Sequence, residues 1–225
     1  MKKVLMFGAA ALMFNTAAYA NGGTFQDADG SSTTLSWSSS SAGDDFEDAG
    51  SPISAAFTLH GDVTKTCSMQ AVDNSSPGLS GNIDLGTIGI HAGDELSVSN
   101  LFTMVGAAHA TVNSAAAGCN YNNTVKVEKD DIRGLVNSSP GNYDSAQFQA
   151  NIPYSATASF TGVVTGTGTG SAQSVTVAAN ANSAQSNFGA WRSPFQLDVN
   201  VPVVTGKGLV GGTYQGTVTV SIAII

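Results

Sequence analysis

Two cysteines, three histidines, scattered carboxylates and a glycine-rich run are the residues in this 225-residue chain that could carry chemistry. Cys67 and Cys119 lie far apart, with neither a CxxC spacing nor a neighbouring histidine, so metal and redox chemistry lack their usual motif. A structural disulfide is the expectation, and closing so long a loop contributes about 4 kcal/mol. Two separate thiols or an intermolecular bridge are the alternatives. His60, His91 and His109 are too distant in sequence to form a local metal or triad motif, although folding could join them. Each reads as a solvated polar residue. Asp27-x-Asp29-Gly30 resembles the start of a calcium loop but lacks the bidentate glutamate. Asp44, Asp45, Glu47 and Asp48 surround a lone Phe46 and read as a solvated linker. The TGTGTG run, Thr165–Gly170, has no phosphate-reaching lysine, and no G-x-S-x-G elbow occurs. Trp37 and Trp191 could form a sugar-binding platform if exposed. Trp191 falls in a polar loop, Gly189–Pro194; a tryptophan capping the end of a core is the competing reading. No catalytic residue, metal site or cofactor is expected, and the chain does not read as an enzyme.

Something other than turnover must therefore account for the chain. Lys2 and Lys3 precede an apolar run from Val4 to Phe14, and Ala18-Tyr19-Ala20 is a small-x-small cleavage motif. Residues 1–20 thus read as an export signal, whose apolar run of about 11 residues is too short to span a bilayer. A buried N-terminal helix or short anchor is the alternative. Beyond it, six basic side chains face sixteen acidic ones, a balance that repels nucleic acid and anionic membrane. Export also places the cysteines in an oxidising compartment.

The elements that would position these residues alternate with a period of two. Residues 21–52 read as an N-terminal extension with one weak strand, Thr33–Trp37, and an acidic linker. Disorder, a contact segment and a first strand of the main domain are its three readings. From residue 53 to 225 the expectation is one domain. Ile53, Ala55, Phe57, Leu59, Gly61 and Val63 alternate in a strand leading to Cys67. Asn82–Ile90 is a second strand, with Ile83, Leu85 and Thr87 on one side. Residues 109–114, Thr124–Lys129 (Val125 and Val127 inward), Tyr154–Val164, a strand marked by Val175 and Val177, and Phe195–Val201 follow. Asn180–Ala190 reads as a polar loop. The last strand, from Thr213, puts Tyr214, Gly216, Val218, Val220, Ile222 and Ile224 on one side. Nine or ten strands with no sustained helical period make an all-β sandwich.

Four pieces together resemble a chaperone–usher pilus subunit, of the archaic or spore-coat-U-like branch. They are the signal peptide; FTLHGDVTKTCSM, Phe57–Met69, with IDLGTI, Ile83–Ile88; Cys119; and the closing GTYQGTVTVSIAI, Gly212–Ile224. The resemblance implies an incomplete immunoglobulin-like β-sandwich whose apolar groove takes a strand from a periplasmic chaperone and then from a neighbouring subunit. It implies an outer-membrane usher and a fimbria at the cell surface. By the same resemblance Thr33, Leu35 and Trp37 would be the donor anchors. Tyr214, Val218, Val220, Ile222 and Ile224 would line the groove. The function expected is a structural fimbrial subunit assembled by donor-strand exchange, with a host or surface receptor as a further partner. A secreted monomeric sandwich that binds glycan or protein is the alternative.

Overall fold

The computed structural model describes residues 58–70, 81–93 and 97–225, together with two strands at 22–26 and 32–36. The chain divides into two compact units, Met1–His60 and Gly61–Ile225. In the first, β1 (Gly22–Gln26) pairs antiparallel with β2 (Ser32–Ser36), Thr24 opposite Thr34. The expected weak strand is thus half of a hairpin whose other half, rich in glycine, gave no alternation to read. An isolated two-stranded hairpin is marginally stable in water.

The second unit is an all-β sandwich, with no helix among the described residues. Its larger sheet has the order β10 (Ser171–Val177), β9 (Ser155–Gly162), β12 (Trp191–Val201), β4 (Ala108–Cys119) and β3 (Cys67–Met69), antiparallel throughout. The smaller sheet sets β5 (Asn123–Lys129) between β11 (Ser183–Phe188) and β15 (Val218–Ile224). Satellite ladders flank these: β6 (Leu135–Asn137) with β8 (Asn151–Ile152) and β14 (Tyr214–Gln215), and a parallel pair, β7 (Phe148–Gln149) with β13 (Gly208–Leu209).

The period-two pattern decides what is inside. Ala156, Ala158 and Phe160 of β9, Phe195, Leu197, Val199 and Val201 of β12, and Val175 and Val177 of β10 point inward. They meet Val125 and Val127 of β5 in one core. Each fully buried valine, leucine or phenylalanine contributes roughly 1.5–3 kcal/mol. Phe160 anchors one end, stacked on Trp191 at 4.2 Å and edge-on to Phe188 at 4.9 Å. The central strand β12 tolerates Pro194 because the pairing with β4 shifts register between Ser193 and Phe195, so no ladder hydrogen bond is forfeited there. Gly118, beside this bulge, has φ +154 and would drive a Cβ into the Trp191 carbonyl.

Several expectations need correction. Trp191 is not in an exposed loop: it opens β12, only 6% exposed, and its Nε1–H donates to Asn123 Oδ1 at 3.0 Å. That removes it as a sugar platform. Asn180–Ala190 is not wholly loop, because Ser183–Phe188 forms β11 and buries Phe188. Asn82–Ile90 is not a strand beyond a bridge from Ile90 to Met104. Asp84 Oδ1 accepts the Gly86 N–H at 2.8 Å and Gly86 takes φ +69, so the chain turns. Leu85 and Ile88, three apart instead of two, reach the core. The strand leading into Cys67 is not formed over Thr58–Thr66; only Cys67–Met69 pairs, while residues 53–57 lie outside the described set. The final strand is broken at Gly216–Thr217, so Tyr214 pairs with Asn137 in a different ladder from β15.

The same alternation carries a charge inward. Lys129 is in phase with Val125 and Val127 and is 1% exposed. Its Nζ donates to the carbonyls of Tyr154 (3.1 Å), Ala178 (3.1 Å) and Ala179 (3.0 Å). Burial lowers its pKa, and the charge of Asp131 opposes that. Beside it, Tyr154 donates its hydroxyl to the Thr217 carbonyl at 3.2 Å. Burial, helped by the charge of Asp130, pushes this phenol up to about 12 from its ordinary 10.0. A raised folded-state pKa contributes stability that is present below pH 10 and lost as pH climbs toward 12. The lowered Lys129 has the opposite sign, but its gain is complete by its ordinary value of 10.5. Urea midpoints are therefore expected to fall between about pH 10.5 and 12, with late tyrosine ionisation in the absorbance titration, a loss on the order of 2 kcal/mol. A midpoint flat across that range would count against a buried phenol.

Candidate assembly groove

Strand β15 has β5 on one side and no partner strand on the other among the described residues. Which of its groups face that open side follows from the ladder. The Asp130 N–H donates to the Thr217 carbonyl (3.0 Å) and the Ile225 N–H to the Asn122 carbonyl (3.1 Å). Antiparallel pairs alternate between bonded and unbonded. Thr217, Thr219, Ser221, Ala223 and Ile225 therefore turn their main-chain groups to β5. Val218, Val220, Ile222 and Ile224 present theirs to the open edge. The same valines and Ile222 are half-buried against the core, while Ile224 is 41% exposed.

The opposite sheet is open on the same side. Strand β3 covers only the C-terminal end of β4, from Cys67 opposite Cys119 to Met69 opposite Ala117, plus one bond from the Gln70 N–H to the Ala116 carbonyl at 3.0 Å. Ser114 Oγ closes that lane by donating to the Gln70 carbonyl at 2.6 Å. From Ala108 to Asn113, β4 has β12 on one side and no described strand on the other. Here Ala108 and Val112 are half-buried against the core, with Met69 beside them. Strand β15 lies against both β3 and β4. The result is a lane between two strand edges, floored by incompletely covered apolar side chains and lined by main-chain groups of β15 that have no partner among the described residues. An extended segment entering it would gain a ladder of hydrogen bonds and pockets for alternate side chains.

The structure joins Cys67 and Cys119 in a disulfide across facing residues whose Cα atoms are 4.0 Å apart. It falls at an unbonded pair of the ladder, since Asn120 N–H donates to Thr66 O on one side, and such pairs bring side chains closest. Of the residues expected to line the groove, Val218, Val220, Ile222 and Ile224 share β15, and Tyr214 does not. Tyr214 instead donates its hydroxyl to the Val210 carbonyl at 2.6 Å, and burial raises its pKa. Thr33 and Leu35 lie in β2; Trp37 lies outside the described residues, as does the acidic cluster 44–48.

Sequence reasoning missed the open flank of β4, because the alternation of Ala108, Ala110 and Val112 marks an inward face and not an unpaired edge. Lys129 was missed for want of extending the inward phase of Val125 and Val127 by one step.

Among the described residues no group of three or more histidine, cysteine, aspartate or glutamate side chains could hold a metal. His60 is exposed, and His109 Nε2 sits 3.6 Å from Asp198 Oδ1 on the outer face of the larger sheet. Asp198 also accepts from Thr111 Oγ1 at 2.7 Å. No helix among the described residues is long and apolar enough to cross a membrane. No family model, no curated protein and no solved structure matches this chain.

Proposed function

We propose that this chain is a structural subunit of a surface fimbria, exported and assembled by strand exchange between copies. The observation that carries the reading is the lane between β15 and β4, whose apolar floor is half-covered and whose β15 edge offers four residues' worth of main-chain groups with no partner strand among the described residues. A long apolar strand edge invites pairing with another chain, and secreted proteins usually blunt it with charge or proline. Here β15 carries neither: Val218, Val220 and Ile222 alternate only with threonine, serine and alanine. Strand addition is a use of such an edge; leaving it bare is an aggregation hazard. The apolar run at 4–14 with its Ala18-Tyr19-Ala20 motif supports export, and a periplasmic chaperone and outer-membrane usher are the partners this reading requires.

The test is mass under non-denaturing conditions together with multimer ladders that survive mild SDS. The chain is expected to form such ladders, and replacing both Val220 and Ile222 with aspartate is expected to abolish them while the Cys67–Cys119 bond still forms. A monomer at high concentration, with slow hydrogen exchange at Val218, Val220 and Ile222 as well as at Thr219 and Ser221, would sink the proposal.

A further inference from the structure

We infer that the segment a neighbouring copy inserts into the lane is Thr58–Val63, and not the β2 strand of the N-terminal hairpin; this rests on the strand-exchange reading above. Leu59 is 92% exposed and Val63 is 84% exposed, two of the most solvent-exposed large apolar side chains among the described residues. They stand four apart with Gly61 between them, so in an extended chain all three share one face. Thr58, His60, Asp62 and Thr64 take the other, which gives one apolar and one polar side. That is the pattern a strand needs when one face enters a core and the other meets water. Yet no residue from Thr58 to Thr66 belongs to a strand.

The root of this segment explains why it does not serve its own molecule. Asn120 Nδ2 donates to the Thr64 carbonyl at 2.8 Å, and Asn120 Oδ1 accepts the Thr66 N–H at 2.8 Å. The Asn120 N–H donates in turn to the Thr66 carbonyl at 3.1 Å. The Lys65 ammonium lies 3.7 Å from the centre of the Tyr121 ring, and Cys67 is tied to Cys119. Because β3 runs antiparallel to β4, the chain before Cys67 continues past the Cys119 end, opposite in direction to Ala108–Asn113. Entering its own lane would require a reversal inside Thr64–Cys67, where the main chain is already held. A second copy can accept the segment without any such reversal. Its six residues span about 20 Å when extended, close to the seven residues of β15. Strand β2, by contrast, already spends one edge on β1, so it would have to leave that hairpin before fitting a lane of single-strand width.

The experiment compares three forms of the chain by native mass and SDS-resistant ladders: Leu59→Asp with Val63→Asp, Thr33→Asp with Leu35→Asp, and a deletion of residues 21–52. The first is expected to lose multimers at least tenfold, and the other two to keep them. If the Thr33/Leu35 form or the deletion loses multimers while the Leu59/Val63 form keeps them, the donor is the N-terminal extension; this inference then fails and strand exchange stands. If the unaltered chain makes no multimers, both fail together. A peptide covering Thr58–Thr66 guards against misfolded variants. Added to the Leu59→Asp, Val63→Asp chain, it is expected to raise Tm in a concentration-dependent way, and the same peptide bearing both aspartates is expected not to. No shift with the unaltered peptide overturns the assignment.

Discussion

Replacing Lys129 with alanine is expected to destabilise the sandwich by about 3–5 kcal/mol, from the cavity left by a long buried side chain and the carbonyls stripped of their donor. Three carbonyls converge on its ammonium from two connections, Tyr154 ahead of β9 and Ala178–Ala179 beyond β10. The side chain therefore ties the end of β5 to the opposite sheet. Alanine leaves a cavity and bares the Tyr154 carbonyl, which is the most deeply buried of the three acceptors. Methionine fills most of the volume yet restores no donor, so Lys129→Met is expected to cost less, roughly 1–3 kcal/mol. The comparison separates packing from hydrogen bonding. Urea melts of the two variants at neutral pH give the answer. A methionine variant as stable as the unaltered chain would mean that the ammonium contributes only bulk.

The second large effect is at the disulfide. Replacing both cysteines with serine, or reducing the bond, is expected to cost about 4 kcal/mol by the loop-entropy estimate for a separation of this length. The loss should be unevenly distributed. Strand β3 has three ladder residues and Met69 against the core, little to hold it once the bond is gone. The expected signature is early loss of amide protection at Ser68 and Gln70, before β9 or β12 exchanges. Uniform destabilisation with β3 still protected would show that Asn120 and the short ladder suffice without the bond.

Legibility followed coverage. The strands buried on one face, Tyr154–Phe160 and Phe195–Val201 above all, could be read because every second side chain is apolar and every second one is indeed inside. The cysteine pair was readable from the number of cysteines, the lack of a metal or redox motif, and the export signal read at residues 1–20. Strand β11 was not, since Ala184 and Phe188 are its only apolar residues and β5 supplies most of what holds it. The segment before Cys67 shows the opposite failure: its alternation is as regular as any in the chain, but periodicity states what a strand could cover and not which molecule it covers. Asn82–Ile90 failed through Gly86, whose left-handed turn converts an apparent period of two into a spacing of three. The open lane belongs to neither class. It exists only because β15 and β4, from opposite sheets, end up facing one side, a relation that no local pattern encodes.

The pairing of β5 has a kinetic consequence. Its two flanks, β11 and β15, both follow it at long sequence distance, and β15 is the last strand of the chain described here. Closing such distant contacts is slow, because loop entropy is lost before any contact repays it. Val125 and Val127, fully buried when the sheet is complete, must wait in a nascent polypeptide until the last of its neighbours has emerged. Maturation of the smaller sheet is thus set by the emergence of β15 and not by that of β5.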